Sequence, residues 1–253
     1  MLKAIAFDLW ETLITDTPVV SRQQERIRLE RMERILREGH VSVTAERVDH
    51  AYRALWHRCH ELYWSQDRDI ACAIQIRHFL EALAVEPESL PAEVLHALET
   101  VYASAAVEMP PAAVEGAVET VNALRQQGLQ IGLISNTGRT PGSALRDVLQ
   151  SLGLAASMDA MVFSNEHGAC KPQRSIFEAL RSAMDLPFEQ IAFVGDNPYA
   201  DVHGAQSCGM KAVLFVPAER GTAVAPHVDH GLHIVPDATV HDLRELVKLI
   251  PRL

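Results

Sequence analysis

What most constrains this chain is a set of short apolar runs, each stopped by turn or polar residues: Ala4 to Phe7, Gln130 to Ile134, Ala160 to Phe163, Ile191 to Val194 and Ala212 to Val216. Runs of this length, apolar on nearly every residue rather than on alternate ones, read as strands buried on both faces of a parallel sheet. Between most of them lie segments with helical spacing, over Ala113 to Gln127, Ser143 to Leu152, Ser175 to Met184 and Asp201 to Cys208. Strand and helix in alternation imply right-handed strand-helix-strand units and a doubly wound α/β sheet.

One interval breaks the rhythm. From about Pro18 to Pro110 the chain carries almost no strand signal but several long helical patterns, the first over Ser21 to about Glu38 with Leu29, Met32 and Leu36 on one stripe. The expectation is an all-helical module at 18–109, inserted after the first strand into a core made of 1–17 and 110–253. Its two connections would act as hinges, and Pro110-Pro111 would mark the return to the core.

Bulk properties narrow the partners. With 253 residues, 48% hydrophobic and 22% charged, the chain can bury a sizeable core and lacks the composition of disorder. A net charge of -10 argues against tracking a nucleic-acid backbone, so an anionic ligand would need local cations. Cys59, Cys72, Cys170 and Cys208 are scattered, which fits a reducing compartment. The opening apolar run is short and broken by Asp8 and Glu11, unlike a secretory signal, and no stretch is apolar enough to span a bilayer. A cytoplasmic protein without a membrane partner is expected.

In an open parallel sheet, ligands bind beyond the carboxyl ends of the strands. Four such ends carry suggestive chemistry. In FDLWETL, Asp8 closes a buried strand, where a carboxylate is costly unless paired or functional; a capping or turn aspartate is the alternative. In LISNTG, Ser135 and Asn136 could donate hydrogen bonds to an oxyanion, or serve as ordinary turn residues. Lys171 in GACKPQ is one of only four lysines, with Lys3, Lys211 and Lys248, and an isolated lysine is most often a surface charge. In FVGDNPYAD, Asp196 and Asp201 would repel one another without a cation, which a hard metal with oxygen ligands resolves; a helix cap is the alternative for either.

Taken in order, each at a strand end, these four motifs resemble those of the haloacid dehalogenase-like (HAD) hydrolase superfamily over roughly residues 1–17 and 110–250. The resemblance implies a Rossmann-like core with a mobile helical cap that supplies selectivity. By that resemblance Asp8 is the nucleophile, Ser135 binds the transferring group, and Lys171 neutralises charge on nucleophile and substrate. Asp8, Asp196 and the backbone carbonyl of Trp10 would ligate Mg2+, with Asp201 supporting the site. The implied reaction forms an aspartyl intermediate that water cleaves, acting on a small phosphorylated molecule in a monomer or homodimer.

Trp10 departs from the pattern. Most phosphatases of the superfamily place a second aspartate there, which protonates the leaving group. Indole donates a hydrogen bond but exchanges no proton at neutral pH, and general acid-base help is worth roughly a hundredfold or more. One explanation is a substrate with a good leaving group, or a proton from Glu11, His57 or His60. A second is a likeness to 2-haloacid dehalogenases, whose residue here is aromatic; Trp10 and Asn136 would then contact substrate and Arg22 a carboxylate or halide. A Schiff-base route like that of phosphonoacetaldehyde hydrolase lacks its amine, since no lysine lies between Lys3 and Lys171. A non-catalytic binding protein is the remaining alternative.

Three further signals carry less. His227, His230 and His233 have too little spacing information to define a metal site. Trp56, Tyr63 and Trp64, near His57 and His60, read as packing before pocket lining. Arg22, Arg26, Arg28 and Arg31, interleaved with glutamates, read as a solvated helix face.

Overall fold

The computed structural model describes residues 1–217 and 231–253. In chain order its elements are β1 Ala4–Phe7, β2 Ile14–Thr15, α1 Pro18–Glu38, α2 Ala45–Leu62, α3 Cys72–Ala82, α4 Ala92–Glu108, β3 Ala112–Ala113, α5 Ala117–Gln126, β4 Gln130–Ser135, α6 Gly142–Ser151, β5 Ala160–Phe163, α7 Ser164–His167, α8 Arg174–Met184, β6 Ile191–Gly195, α9 Gly204–Cys208, β7 Lys211–Phe215, β8 Ala238–Val240 and α10 Leu246–Leu249. Six strands form one parallel sheet in the order β5-β4-β1-β6-β7-β8. The chain therefore leaves β1 towards one edge and returns to build the other. β1 is the switch point, and the crevice beyond its carboxyl end is the expected ligand position.

Alternation along β1 separates two cores. Ile5 and Phe7 join Val121, Leu124, Leu145 and Val148 on one face of the sheet, whereas Ala4 and Ala6 meet Ile176, Phe177 and Leu180 on the other. A third cluster, with Met32, Leu36, Tyr52, Leu55, Phe79, Leu80 and Tyr102, belongs to the inserted helices α1 to α4. This is a Rossmann-like α/β core with a helical cap. Local signals start the cap helices: Thr17 accepts a hydrogen bond from Val20 N at 3.2 Å with Pro18 in the first turn, and Thr44 accepts from Arg47 N at 3.4 Å.

Some boundaries differ from the sequence expectation. The helix expected from Ala113 begins at Ala117, because Ala112–Ala113 pairs antiparallel with β2 and Gly116 turns the chain at φ +78°. The segment expected as a helix from Asp201 opens earlier, as a wide turn of π geometry over Pro198–His203 capped by Asn197, before α9. No helix among the described residues is long and apolar enough to cross a membrane. His227 and His230 lie outside the described residues, and His233 is exposed.

Candidate active site

Register brings the four motifs together. Phe7 pairs with Leu133 on β4 and with Val194 on β6, so the next residue on β1, Asp8, stands level with Ile134 and Gly195. Its backbone N–H donates to Val194 O at 2.8 Å, extending the ladder by one step. One residue further, Ser135 closes β4 and Asp196 stands just past the end of β6. Three loop mouths thus open side by side on one edge of the sheet.

The carboxylate oxygens of Asp8, Asp196 and Asp201 lie within 4.8 Å of one another. All three residues are buried, and so is Lys171, at 2% exposure. Lys171 Nζ donates to Asp8 Oδ1 at 2.6 Å and to Ile134 O at 3.1 Å, and stands 2.7 Å from Asp201 Oδ1 as an ion pair. Its ammonium also stands over the ring of Phe193, with Nζ 5.1 Å from the ring centre. Asn136, expected at the substrate, commits both ends of its amide to the Lys171 backbone: Nδ2 donates to Lys171 O at 3.1 Å and Oδ1 accepts from Lys171 N at 2.8 Å. It positions the lysine while still lining the cavity.

Electrostatics follow from this crowding. Burial pushes Asp8 up to about 7; Lys171 opposes the rise, while Asp201 and Asp196 add to it. Burial raises Asp201 as well, again against Lys171. Burial alone would lower Lys171, but Asp201 and Asp8 outweigh it, so the ammonium is retained. One ammonium cannot balance three carboxylates in a dry site. The residues therefore fit a hard divalent cation, which takes all-oxygen ligands. Asp201 is engaged on both oxygens, Oδ1 by Lys171 at 2.7 Å and Oδ2 by Asn197 N at 2.9 Å, whereas Lys171 holds Asp8 through Oδ1. Gly195 permits this packing, because a Cβ there would collide with the Asp201 carboxylate.

A cavity of about 500 Å³ opens over the acids, between core and cap. Asp8, Trp10, Asn136, Lys171, Asp196 and Asp201 line it. Ser135 does not: it is fully buried, and its Oγ has no hydrogen-bond partner among the described residues. Of the proposed proton sources, His60 reaches the wall. His57 is exposed and does not. Glu11, at φ 60°, is buried and accepts from Thr15 Oγ1 at 2.9 Å, turned away from the cavity.

Further residues differ from the sequence expectation or were not read from it. Trp56 and Trp64 form an aromatic wall, their rings 4.6 Å apart, whereas Tyr63 packs elsewhere with its hydroxyl 3.0 Å from His78 Nε2. Arg28 is buried rather than solvated: Nε donates to Tyr102 O at 2.9 Å and a terminal nitrogen to Thr140 Oγ1 at 3.3 Å. Arg22 is exposed and outside the cavity. Asp16 lies in the wall, pushed up to about 6 by burial against the pull of Ser21 and Arg28. Asp69 ties cap to core: Oδ2 accepts from Ser164 Oγ at 2.5 Å and Thr137 Oγ1 at 3.0 Å, and Oδ1 from Trp64 Nε1 at 2.9 Å.

The haloacid dehalogenase-like hydrolase family matches residues 2–209, from before the first acid to beyond the last. The chain belongs to this family. As a HAD hydrolase it is 29% identical to the phosphoserine phosphatase of Thermus thermophilus, over 97% of this chain and 98% of that protein. It is 31% identical to the ribulose-1,5-bisphosphate 5-phosphatase of Halopiger xanaduensis, but there covers only 54% of this chain and 56% of the relative. In fold it is similar to 2-haloacid dehalogenase from Pseudomonas syringae (TM-score 0.68, 22% identity, 100% and 99% of the two chains) and to the HAD hydrolase YfnB of Bacillus subtilis, solved bound to magnesium (TM-score 0.58, 19% identity, 98% of each).

Proposed function

We propose that the protein is a magnesium-dependent phosphatase of small phosphorylated molecules, working through an aspartyl-phosphate on Asp8. The observation that carries this reading is a cluster of three buried carboxylates, two of them on one buried ammonium, with Lys171 2.6 Å from Asp8 and 2.7 Å from Asp201. Relatives named as phosphatases support the same reaction class.

When bound between Asp8 and Asp196, with the Trp10 carbonyl as a further ligand, magnesium would offset the negative charge of the phosphoryl oxygens. The chain's own groups do the rest. Asp8 attacks phosphorus as its carboxylate, and Lys171 reduces the repulsion between that anion and the incoming one. Asp201 and Asn136 hold Lys171 in place. The Ser135 hydroxyl, which has no hydrogen-bond partner among the described residues, has a donor to offer a phosphoryl oxygen. Segment 18–109 closes as a cap over a core of 1–17 and 110–253. Trp10 moves no proton, so the reaction favours leaving groups that depart as stable anions, or takes a proton from His60 on the cavity wall.

Magnesium-dependent, vanadate-sensitive hydrolysis of an activated aryl phosphate is expected, and Asp8→Asn abolishes it. An unchanged rate in that variant removes Asp8 from the mechanism.

Trp10 on the cavity wall favours a second reading, displacement of halide from a 2-haloacid. Asp196 opposes it, since a metal-free anion site gains nothing from an added carboxylate. Chloride release from 2-chloropropionate that persists in chelator would decide for the dehalogenase.

A further inference from the structure

The cavity has a second charged pole. Arg139 lies in the loop after β4, three residues beyond Asn136, and its guanidinium carbon sits 4.5 Å from the ring centres of both Tyr52 and Trp56 on α2. Two aromatic rings so close fix the orientation of the guanidinium and leave its N–H edge as the donating direction. That edge has nothing to hold. Among the described residues Arg139 forms no ion pair, and its buried Nε has no hydrogen-bond acceptor. The neighbouring Arg28 is different, being engaged by Tyr102 O, Thr140 and the charge of Asp16.

The loop is built to present this side chain. Gln75 Nε2 donates to Gly138 O at 3.0 Å, and Tyr102 Oη donates to Gln75 Oε1 at 2.8 Å, so the loop is anchored from α3 and α4. Gly138 takes φ +60°, a conformation that disfavours a side chain, immediately before the arginine. Three residues span at most roughly 11 Å between Cα atoms. The arginine loop thus starts at the Lys171 clamp and ends within a small metabolite's length of it.

We propose that Arg139 binds a second oxyanion of the substrate, making the preferred substrate a small phosphate ester that carries a carboxylate or a second phosphate at its far end. This rests on the phosphatase reading for the acidic pole, but the subsite itself does not require turnover. A planar fork packed against two rings matches the two oxygens of either group. The pole lined by Asp8, Asp196 and Asp201 needs cations, whereas the pole at Arg139 needs an anion, and an ester with an oxyanion at each end, together with magnesium, satisfies both.

The test compares three probes with the wild-type protein and the variants Arg139→Gln and Arg139→Lys: phenyl phosphate, 2-phosphoglycolate and propane-1,3-diol bisphosphate. Binding is followed by calorimetry in magnesium with Asp8→Asn as the background, and kcat and KM are measured separately in the active protein. Arg139→Gln should weaken 2-phosphoglycolate or the bisphosphate about tenfold or more, leave phenyl phosphate within about twofold, and act on KM rather than kcat. Arg139→Lys, which keeps charge but not the fork, should recover only part of the loss. The more affected of the two probes with a second oxyanion identifies the group. If wild-type protein turns over none of the probes but binds one with a second oxyanion through Arg139, the subsite stands and the phosphatase reading fails. Equal effects on all three probes, or none on any, in variants that melt like the wild type would overturn the subsite.

Discussion

Replacing Lys171 with methionine isolates the charge balance at the heart of the site. Methionine keeps an unbranched apolar stem and removes the ammonium that stands 2.6 Å from Asp8 and 2.7 Å from Asp201. Two carboxylates 4.8 Å apart, the outer limit for this trio, repel by roughly 3 kcal/mol at an effective dielectric constant of about 20. Deleting one partner of a buried ion pair costs about 3–5 kcal/mol, a similar size. In chelator at pH 8, Lys171→Met should therefore melt roughly 10 °C or more below the wild type, since a chain of this length shifts about 2–4 °C per kcal/mol. The deficit should shrink towards pH 5, because protons can then neutralise the acids that lost their ammonium. Magnesium should raise the melting temperature of the variant more than that of the wild type. Thermal melts by circular dichroism at pH 5 and 8, with chelator or magnesium, read all three effects. A variant that melts with the wild type in chelator at pH 8 would show that these carboxylates do not share the lysine's charge.

Other expectations follow from single groups. The Asp16 carboxyl is raised from 3.8 to about 6 by burial, so the folded state holds a proton that the unfolded chain has released. Its contribution to stability is complete below pH 3.8 and lost as pH rises through about 6; Asp16→Asn should flatten that part of a urea-denaturation profile, and an unchanged slope assigns it to other groups. Asp69→Ala leaves Thr137, Ser164 and Trp64 without their acceptor, at about 1–3 kcal/mol for each donor that stays buried. Faster amide exchange over 64–71 and 137–140 is the expected sign, and unchanged exchange would deny that Asp69 fastens cap to core. Gly195→Ala drives the Asp201 carboxylate from its place beside Lys171, and turnover should fall at least tenfold with the helical content retained; wild-type turnover would show that Asp201 can move without consequence.

The sheet was legible because strands buried on both faces leave uninterrupted apolar runs, and a parallel sheet then fixes where their polar ends must gather. Asp8, Asp196 and Asp201 could be singled out by that position, whereas Lys171, eight residues beyond β5, read as a surface charge until the family resemblance gave it a role. Contacts that depend on distant backbone were not legible. Arg28 belongs to the stripe Gln24, Arg28, Met32 and Leu36, spaced by fours, but its burial depends on a carbonyl 74 residues away at Tyr102. Arg139 gains its meaning from two rings on α2, and Asp69 from hydroxyls on two core loops. The pairing of β2 with β3 involves two residues on each side, too few to leave a periodic signal.

That small pairing bears on how the protein can be rebuilt. Ile14 stands opposite Ala113 and Thr15 opposite Ala112, so the chain enters and leaves the helical insertion through strands whose facing Cα atoms are roughly 5 Å apart. Both crossings are laced into one ribbon, and a bend in either must carry the other with it. A tight turn could bridge the same two points, which makes the lid an exchangeable cassette: trimming it away, or grafting another in its place, leaves the ends of the remaining scaffold already side by side.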